Sequence, residues 1–156
     1  MSRSIRPAML RTKPGNDPEL TAVLSAVSKT GLLTAFCHAI DSARPHPILR
    51  DPTSEQIAHV LAPRLEASGS PFLRRIARGR ISKILLAAVV LRAQKYDQVA
   101  SAFARSHPGS CVVNLGCGLD TRFWRIDDGK LHVVDLDLPE VIALKRQILS
   151  ESGSPL

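Results

Sequence analysis

The first two thirds of the chain carry apolar residues at intervals of three and four, a spacing that places them on one face of an α-helix. In the first such segment these residues are Leu20, Val23, Leu24, Val27, Leu32, Phe36 and Ile40. Asp17-Pro18-Glu19 begins the segment, because Asp caps free backbone N–H groups and Pro is tolerated at the first helical position. Gly31 is a candidate bend within it.

Two further helical segments follow, each after a proline-containing break. Arg44–Pro47 ends the first segment, because proline disfavours the helical conformation at its predecessor. The Asp-Pro start signal then recurs and predicts a helix over residues 51–62, which Pro63 should end. The pattern is helical again over residues 72–106, with Gly79 as a candidate break.

The pattern changes to short β-branched runs after residue 110. Residues 111–115 form an apolar run typical of a buried strand, and residues 131–134 form a second. A short helical stretch over residues 121–125 lies between them, and a helix from Pro139 to about Ser150 follows. Strand, crossover and strand in this order predict parallel pairing with a right-handed connection.

This order of elements predicts an α/β fold, in which an N-terminal helical layer precedes the first β-α-β-α unit of a Rossmann-like sheet. We expect a disordered N-terminus over residues 1–16, a helical region over 17–109 and the start of a Rossmann-like ligand-binding domain over 110–156. A sheet of two strands would leave its first strand with an unpaired edge, which favours association. Parallel sheets also need both faces covered. We therefore expect an incomplete unit whose edge is open to self-association or to a complementing chain.

Composition narrows the class of protein. The 156 residues are 44% hydrophobic and 22% charged, as in ordinary globular proteins. No stretch reaches the roughly 18 apolar residues of a membrane span, and no secretory signal is evident, so we expect a cytoplasmic protein without a membrane partner. The three cysteines, Cys37, Cys111 and Cys117, lack metal-ligand spacing, so we expect reduced thiols and no metal.

The net charge of +7 is unevenly distributed. Residues 1–110 carry 16 lysines and arginines against 7 acidic residues, whereas residues 111–156 carry 5 against 7. The densest basic segment, residues 74–83, has Phe72 as its neighbouring aromatic residue. Because a nucleic-acid interface would need more stacking residues, we interpret this segment as a solvated helix face.

The turn after the first predicted strand carries the clearest chemical signal. Gly116 and Gly118 let the backbone approach a ligand closely, in the crevice where open α/β sheets bind their ligands. Thr121 replaces the third glycine of the dinucleotide-binding pattern, and the Gly-Lys-Ser/Thr ending of a phosphate-binding loop is absent. The ligand predicted here is therefore neither a dinucleotide nor a P-loop nucleotide.

Acidic residues follow the same turn and the second strand. Asp135 and Asp137 lie where a carboxylate can accept two hydrogen bonds from a ribose diol. Both residues are equally well placed to cap the helix that begins near Pro139. Asp120 allows the same two interpretations, as a ligand contact or as the cap of the short helix.

The residues around these signals resemble a known family. Two segments are similar to the leucine carboxyl methyltransferase family. They are Asn-Leu-Gly-Cys-Gly-Leu-Asp-Thr-Arg-Phe-Trp-Arg at 114–125 and Asp-Leu-Asp-Leu-Pro-Glu-Val-Ile at 135–142. Its bacterial branch of polyketide-synthesis O-methyltransferases is the most similar. The resemblance extends to Arg-Ala-Gln-Lys-Tyr-Asp at 92–97 and, more loosely, to residues 51–52. Family members are much longer, so the resemblance implies that this chain is the C-terminally truncated front half of such a protein.

The resemblance implies a class I methyltransferase fold that binds S-adenosylmethionine. It assigns Gly116 and Gly118 to the pocket wall, and Asp137, with Asp135 as a second candidate, to the ribose. Arg92 matches the family arginine that pairs with the cofactor's carboxylate, a task suited to a guanidinium. The alternative for Arg92 is a surface residue on a basic helix. Asp120 completes the set of predicted cofactor contacts.

Two positions depart from the family or carry no assigned role. His38-Ala39 stands where the branch has an Arg-Ala pair, which weakens the case for a cationic cofactor contact from the first helix. We do not expect His38 to be a catalytic base. Cys117 has no neighbour that would lower its pKa, so we interpret it as a space-filling residue.

The predicted function is therefore that of an S-adenosylmethionine-dependent O-methyltransferase, or of its cofactor-binding half, acting on a small-molecule carboxyl or hydroxyl group. In such enzymes a substrate oxygen attacks the sulfonium methyl, and the protein contributes alignment and exclusion of water. No general base is assigned, which puts catalysis by the 156-residue chain in doubt. The alternative is a non-catalytic fragment that binds a partner through its sheet edge, and affinity for the cofactor separates the two.

Overall fold

The computed structural model of the chain describes residues 29–153. Its elements are α1 (Lys29–Ser42), α2 (Pro52–Ala67), α3 (Pro71–Ala77), α4 (Lys83–Ser106), β1 (Cys111–Leu115), α5 (Arg122–Ile126), β2 (His132–Leu136) and α6 (Pro139–Ser152). The predicted α/β order, a helical layer followed by a β-α-β-α unit, is confirmed. The predicted helix start at Asp17 and the disordered N-terminus over residues 1–16 lie outside the described residues.

Side-chain caps start the second and third helices where the sequence predicts. Asp51 is the N-cap of α2, and its Oδ1 accepts a hydrogen bond from the backbone N–H of Ser54 at 3.0 Å. Ser70 caps α3 in the same way through the backbone N–H of Leu73. Gly79 adopts a φ of 64°, which separates α3 from α4 and confirms the predicted break.

The predicted end of α2 at Pro63 is wrong. The helix continues through this proline to Ala67. Leu61 and Leu65, on either side of Pro63, are fully buried and continue the apolar stripe of the helix. Their packing outweighs the lost backbone hydrogen bond, because tertiary burial routinely overrides local propensity.

The two strands pair in parallel, in the register Cys111 with His132 through to Leu115 with Leu136. The parallel pairing confirms the prediction, but the expectation of a buried first strand is wrong. Alternate side chains of a strand point to the same face. Four apolar side chains on one face are 43–76% exposed, namely Val113, Leu115, Val134 and Leu136. No helix within residues 29–153 covers this face, which we call the open sheet face.

The hydrophobic core lies between the helices. One buried cluster joins α1, α2, α3, α6 and the turn after β1; its members are Leu32, Ala35, Phe36, Ile57, Leu61, Leu65, Ile76, Leu119, Val141, Leu144, Ile148 and Leu149. A second cluster joins α1 to α4 through Cys37, Leu49, Leu86, Val89, Val90 and Ala93. Since α6 follows β2, its packing on the earlier helices holds the Rossmann-like unit against the helical layer.

Candidate cofactor-binding site

A cavity of about 340 Å³ lies at the carboxyl end of the two strands. Its walls come from α1, α4, the start of α6 and the glycine loop, which comprises residues 116–122. We call it the loop cavity. Five of the six predicted cofactor contacts line it together, namely Arg92, Gly116, Gly118, Asp120 and Asp137. The sixth, Asp135, is not among its lining residues.

The backbone of the glycine loop takes its shape from two left-handed glycines. Gly116 has a φ of 63° and Gly118 a φ of 52°, a region that other residues enter only with strain. The backbone N–H groups of Gly116 and Cys117 donate to the carbonyl of Leu136 at 2.8 and 3.2 Å. The loop is therefore fastened to the end of β2, and its glycines leave the backbone open toward the cavity.

Asp137 fixes this loop from the end of β2. Its Oδ2 accepts a hydrogen bond from the backbone N–H of Gly118 at 2.7 Å, and its Oδ1 accepts one from the N–H of Leu138 at 2.8 Å. The N-cap of α6 is Leu138, which makes no side-chain capping bond. Each carboxylate oxygen can accept two hydrogen bonds, so Asp137 keeps acceptor capacity for a ligand in the cavity.

Asp135 makes its contacts within the protein. Its Oδ2 accepts a hydrogen bond from Nζ of Lys145 at 2.6 Å, and its Oδ1 accepts one from Nδ2 of Asn114 at 3.1 Å. The same Asn114 amide donates to Asp120 at 3.1 Å. Asn114, at the end of β1, thus bridges the two carboxylates that flank the glycine loop.

Asp120 is held by two arginines of α5. Its carboxylate lies 3.2 Å from both Arg122 and Arg125. Burial by itself would raise the pKa of Asp120, but the charges of Arg125 and Arg122 outweigh it and hold that pKa below its usual value. Both arginines also bind Asp97 of α4, at 3.0 and 2.6 Å. This network was not predicted from the sequence. The one local signal for it is that two arginines three residues apart share a helix face.

A buried cluster around Asp51 connects α1, α2 and α5. Oδ2 of Asp51 lies 2.8 Å from Nη1 of Arg125, 2.5 Å from the hydroxyl of Thr121 and 3.2 Å from Nδ1 of His38. Burial by itself would raise the pKa of Asp51, but the His38 hydrogen bond and the Arg125 charge outweigh it and lower that pKa far below its usual value. Asp51, predicted as a helix cap, also anchors the far end of the glycine loop.

Arg92, on α4, also lines the cavity and has an exposed side chain. Within residues 29–153 no protein group pairs with its guanidinium. Tyr96, one turn further along α4, also lines the cavity, and the guanidinium carbon of Arg122 lies 5.9 Å from its ring centre. Among residues 29–153, the cavity is therefore lined both by a cation without an ion-pair partner and by the carboxylate of Asp137.

The thiols and the other helices contribute no further chemistry to the site. Burial raises the pKa of Cys37 and of Cys117 to about 11, so both are protonated at neutral pH. In residues 29–153, no three His, Cys, Asp or Glu side chains are grouped so that they could hold a metal ion. None of the helices in that range combines the length and apolar character that a bilayer-spanning helix requires.

A helical layer on a parallel β-α-β-α unit, with a glycine turn and an acidic strand end at one cavity, is the arrangement of a Rossmann-like ligand-binding protein. The family model of leucine carboxyl methyltransferase matches residues 31–156. The chain belongs to this family, which confirms the predicted resemblance. S-adenosylmethionine, the predicted cofactor, is the cofactor of this family.

Curated relatives agree with the family match. "Tetracenomycin polyketide synthesis O-methyltransferase TcmP" of Streptomyces glaucescens is 33% identical over 136 residues, which cover 84% of this chain and 45% of the relative. "S-adenosyl-L-methionine-dependent methyltransferase dpfgK" of Gibberella zeae is 32% identical over 132 residues, covering 82% and 43%. A "Putative S-adenosyl-L-methionine-dependent methyltransferase" of Mycolicibacterium gilvum is 29% identical over 144 residues, covering 83% and 44%. The chain spans less than half the length of these relatives.

Proposed function

We propose that this chain binds S-adenosylmethionine in the loop cavity and serves as the cofactor-binding part of an O-methyltransferase. The observation that carries the proposal is a convergence of three elements on one cavity. The left-handed Gly116 and Gly118 come from the end of β1, Asp137 from the end of β2, and Arg92 from α4. Their chemistry matches the parts of this cofactor, which has a ribose diol at its centre and an amino-acid group at one end.

Each wall of the cavity has a specific task in this proposal. Asp137 accepts hydrogen bonds from the ribose hydroxyls with the lone pairs that Gly118 and Leu138 leave unused. Arg92 pairs with the carboxylate of the cofactor, which suits a guanidinium. Gly116 and Gly118 allow the cofactor to lie against bare backbone.

The two remaining predicted contacts act through the protein in this proposal. Asp120 holds the arginines of α5, and Asp135 holds Lys145, so both fix the shape of the glycine loop. The carbonyl of Asp120 also accepts a hydrogen bond from Nζ of Lys145, at 2.5 Å. We therefore treat Asp120 and Asp135 as positioning residues whose loss would deform the loop.

The bound cofactor supplies a methyl group that its sulfonium already activates. The chain then contributes orientation and exclusion of water, which are the main protein contributions to such a transfer. The acceptor we propose is a small molecule with a hydroxyl or carboxyl group, on the strength of the O-methyltransferase name of the Streptomyces relative. The free thiols suit a reducing compartment, and we propose the cytoplasm.

A calorimetric titration of the 156-residue chain with S-adenosylhomocysteine tests this proposal. This compound is what remains of the cofactor after its methyl group has been transferred. We expect saturable binding that Asp137→Asn weakens at least tenfold, because a hydrogen bond to a charged group contributes about 1.5–3 kcal/mol. Asn keeps a carbonyl that can accept from Gly118, so the loop should hold its shape. Circular dichroism verifies that each variant is folded.

The matched control is Asp128→Asn, which removes one carboxylate from an exposed turn outside the cavity. This variant should bind like the wild type. Absence of binding by folded wild-type chain, or equal affinity of Asp137→Asn and the wild type, would contradict the proposal. A radiolabelled methyl-transfer assay with aromatic hydroxy acids then tests the reaction separately from the binding.

A further inference from the structure

In the described part of the chain, a buried side-chain nitrogen in the wall of the loop cavity lacks a hydrogen-bond partner. His38 of α1 lines the cavity and is only 2% exposed. Its Nδ1 lies 3.2 Å from Oδ2 of Asp51, whereas its buried Nε2 has no hydrogen-bond partner among residues 29–153. Buried polar atoms in folded proteins are nearly always hydrogen-bonded. An orphaned nitrogen in a cavity wall therefore points to a group of the ligand.

The contacts of Asp51 fix the polarity of this nitrogen. The low pKa of Asp51 keeps its carboxylate ionised at neutral pH, and an ionised carboxylate can only accept hydrogen bonds. Nδ1 of His38 must therefore carry the hydrogen in this contact. Arg125 pairs with the same Oδ2 at 2.8 Å, so it already supplies a cation to this carboxylate. In the imidazole tautomer that carries its hydrogen on Nδ1, Nε2 is a hydrogen-bond acceptor.

An acceptor at this position suits a cationic donor. The amino-acid end of S-adenosylmethionine carries a carboxylate and an ammonium group on one carbon atom. Arg92, a cation, and His38, an acceptor, line the same cavity from α4 and α1. Their neighbours Ala93 and Cys37 belong to one buried cluster, so the two helices pack together beside these residues.

We propose, resting on the proposed function, that Nε2 of His38 accepts a hydrogen bond from the α-ammonium group of the cofactor while Arg92 binds its carboxylate. His38 replaces the arginine that the resemblance leads one to expect on the first helix. A guanidinium can only donate, whereas this imidazole accepts, so the substitution changes which end group α1 recognises. Asp51 is the positioning residue that sets the tautomer and orientation of His38.

Three ligands and two variants test this assignment by calorimetry on the 156-residue chain. The ligands are S-adenosylhomocysteine, its desamino analogue without the α-amino group, and its decarboxylated analogue without the carboxylate. The variants are His38→Phe, which keeps a ring of similar size, and His46→Phe as a control in an exposed loop outside the cavity. We expect His38→Phe to lower the affinity for S-adenosylhomocysteine and for the decarboxylated analogue about tenfold. The affinity for the desamino analogue should stay unchanged. His46→Phe should leave all three affinities unchanged.

Several results would overturn the assignment. If the decarboxylated analogue is the one insensitive to His38→Phe, His38 donates to the carboxylate instead. If all three ligands weaken equally, His38 acts through the fold. If the wild type binds the desamino analogue as tightly as S-adenosylhomocysteine, the assignment fails even when His38→Phe does not fold. Absence of S-adenosylhomocysteine binding by the wild type overturns the proposed function itself, so the two failures are distinguishable.

Discussion

The carboxylate of Asp137 accepts a hydrogen bond from the backbone N–H of Gly118 at 2.7 Å, across 19 residues of sequence. This bond ties the end of β2 to the turn after β1, so the shape of the glycine loop depends on a residue from the neighbouring strand. Asp137, which we propose binds the ribose, and Gly118, which we propose lines the pocket, are therefore held together by this bond. A substitution that removes the acceptor of Asp137 altogether should therefore alter both the loop and the affinity for the cofactor.

We predict that Gly118→Ala abolishes cofactor binding while it leaves the fold intact. The left-handed φ of 52° strains an alanine by about 1 kcal/mol, and the added Cβ would lie 3.8 Å from Cα of Gly31, an ordinary contact. The new methyl belongs to a residue that lines the loop cavity. Urea denaturation should show the small loss of stability, and titration with S-adenosylhomocysteine should show the loss of binding.

The matched control is Gly129→Ala. This glycine has a φ of 80° in an exposed turn outside the cavity, so alanine meets the same backbone strain without touching the site. We expect a similar loss of stability and an unchanged affinity. Equal binding by Gly118→Ala and Gly129→Ala would show that the glycine loop is not a ligand contact.

We predict that the protein loses stability in acid partly through Asp51. The pKa of this carboxyl is lowered in the folded state, so its contribution to stability is complete above the unfolded pKa of about 3.9. That contribution is lost as the pH falls through the lower folded value, because the unfolded chain then binds the proton more tightly. Urea denaturation at pH 7, 5, 4 and 3 should show little change from this group between pH 7 and pH 5 and a fall in the free energy of unfolding at the lowest pH values.

Asp51→Asn separates this contribution from that of the other carboxylates. At pH 7 the variant should be less stable than the wild type by about 3 kcal/mol, because it leaves Arg125 buried without one of its partners. Its stability should fall less steeply below pH 4 than that of the wild type. Asp128→Asn, exposed in a turn, should follow the wild-type pH profile. Parallel acid profiles for Asp51→Asn and the wild type would show that Asp51 does not carry the effect.

Local signals in the sequence were enough to predict most elements. Each of these signals depends on residues close together in the chain. They are the Asp-Pro pair at 51–52, the break at Gly79 and the apolar run at 111–115. The end of α2 and the burial of β1 were mispredicted because both depend on packing. The helix tolerates Pro63 because Leu61 and Leu65 on either side of it are buried. Strand β1 is exposed because no described helix covers its face.

The same holds for the candidate site, where some residues could be predicted from the local sequence and others could not. Gly116, Gly118 and Asp137 follow directly from strand ends, and the structure brings them to one cavity. The network behind them was not predictable locally, because Arg125 reaches Asp51 across 74 residues and Arg122 reaches Asp97 across 25. Such contacts follow only once α5 is known to pack against the helical layer.

We predict that Pro63→Ala stabilises the protein. Proline inside a helix removes one backbone hydrogen bond and costs up to about 3 kcal/mol, and Pro63 is exposed, so alanine should fit without repacking. The control is Pro139→Ala, because Pro139 lies at the start of α6, where no helical hydrogen bond is missing. Urea denaturation should show a gain for the first variant alone. A loss of stability in Pro63→Ala would mean that the proline shape itself is needed for the packing of α2.

We predict that the chain self-associates through the open sheet face. Leu115 is 76% exposed and Val113 is 51% exposed, and a contiguous apolar face of this kind favours contact with another surface. Threonine retains β-propensity while it lowers the apolar character, so the double variant Val113→Thr/Leu115→Thr should keep the strand. In sedimentation velocity, the weight-average sedimentation coefficient of the wild type should rise with concentration, and that of the double variant should rise less. Ile84→Thr changes an 83% exposed residue on α4 and should behave like the wild type. If the wild type stays monomeric at all concentrations, or if Ile84→Thr has the same effect as the double variant, the open sheet face is not an association surface.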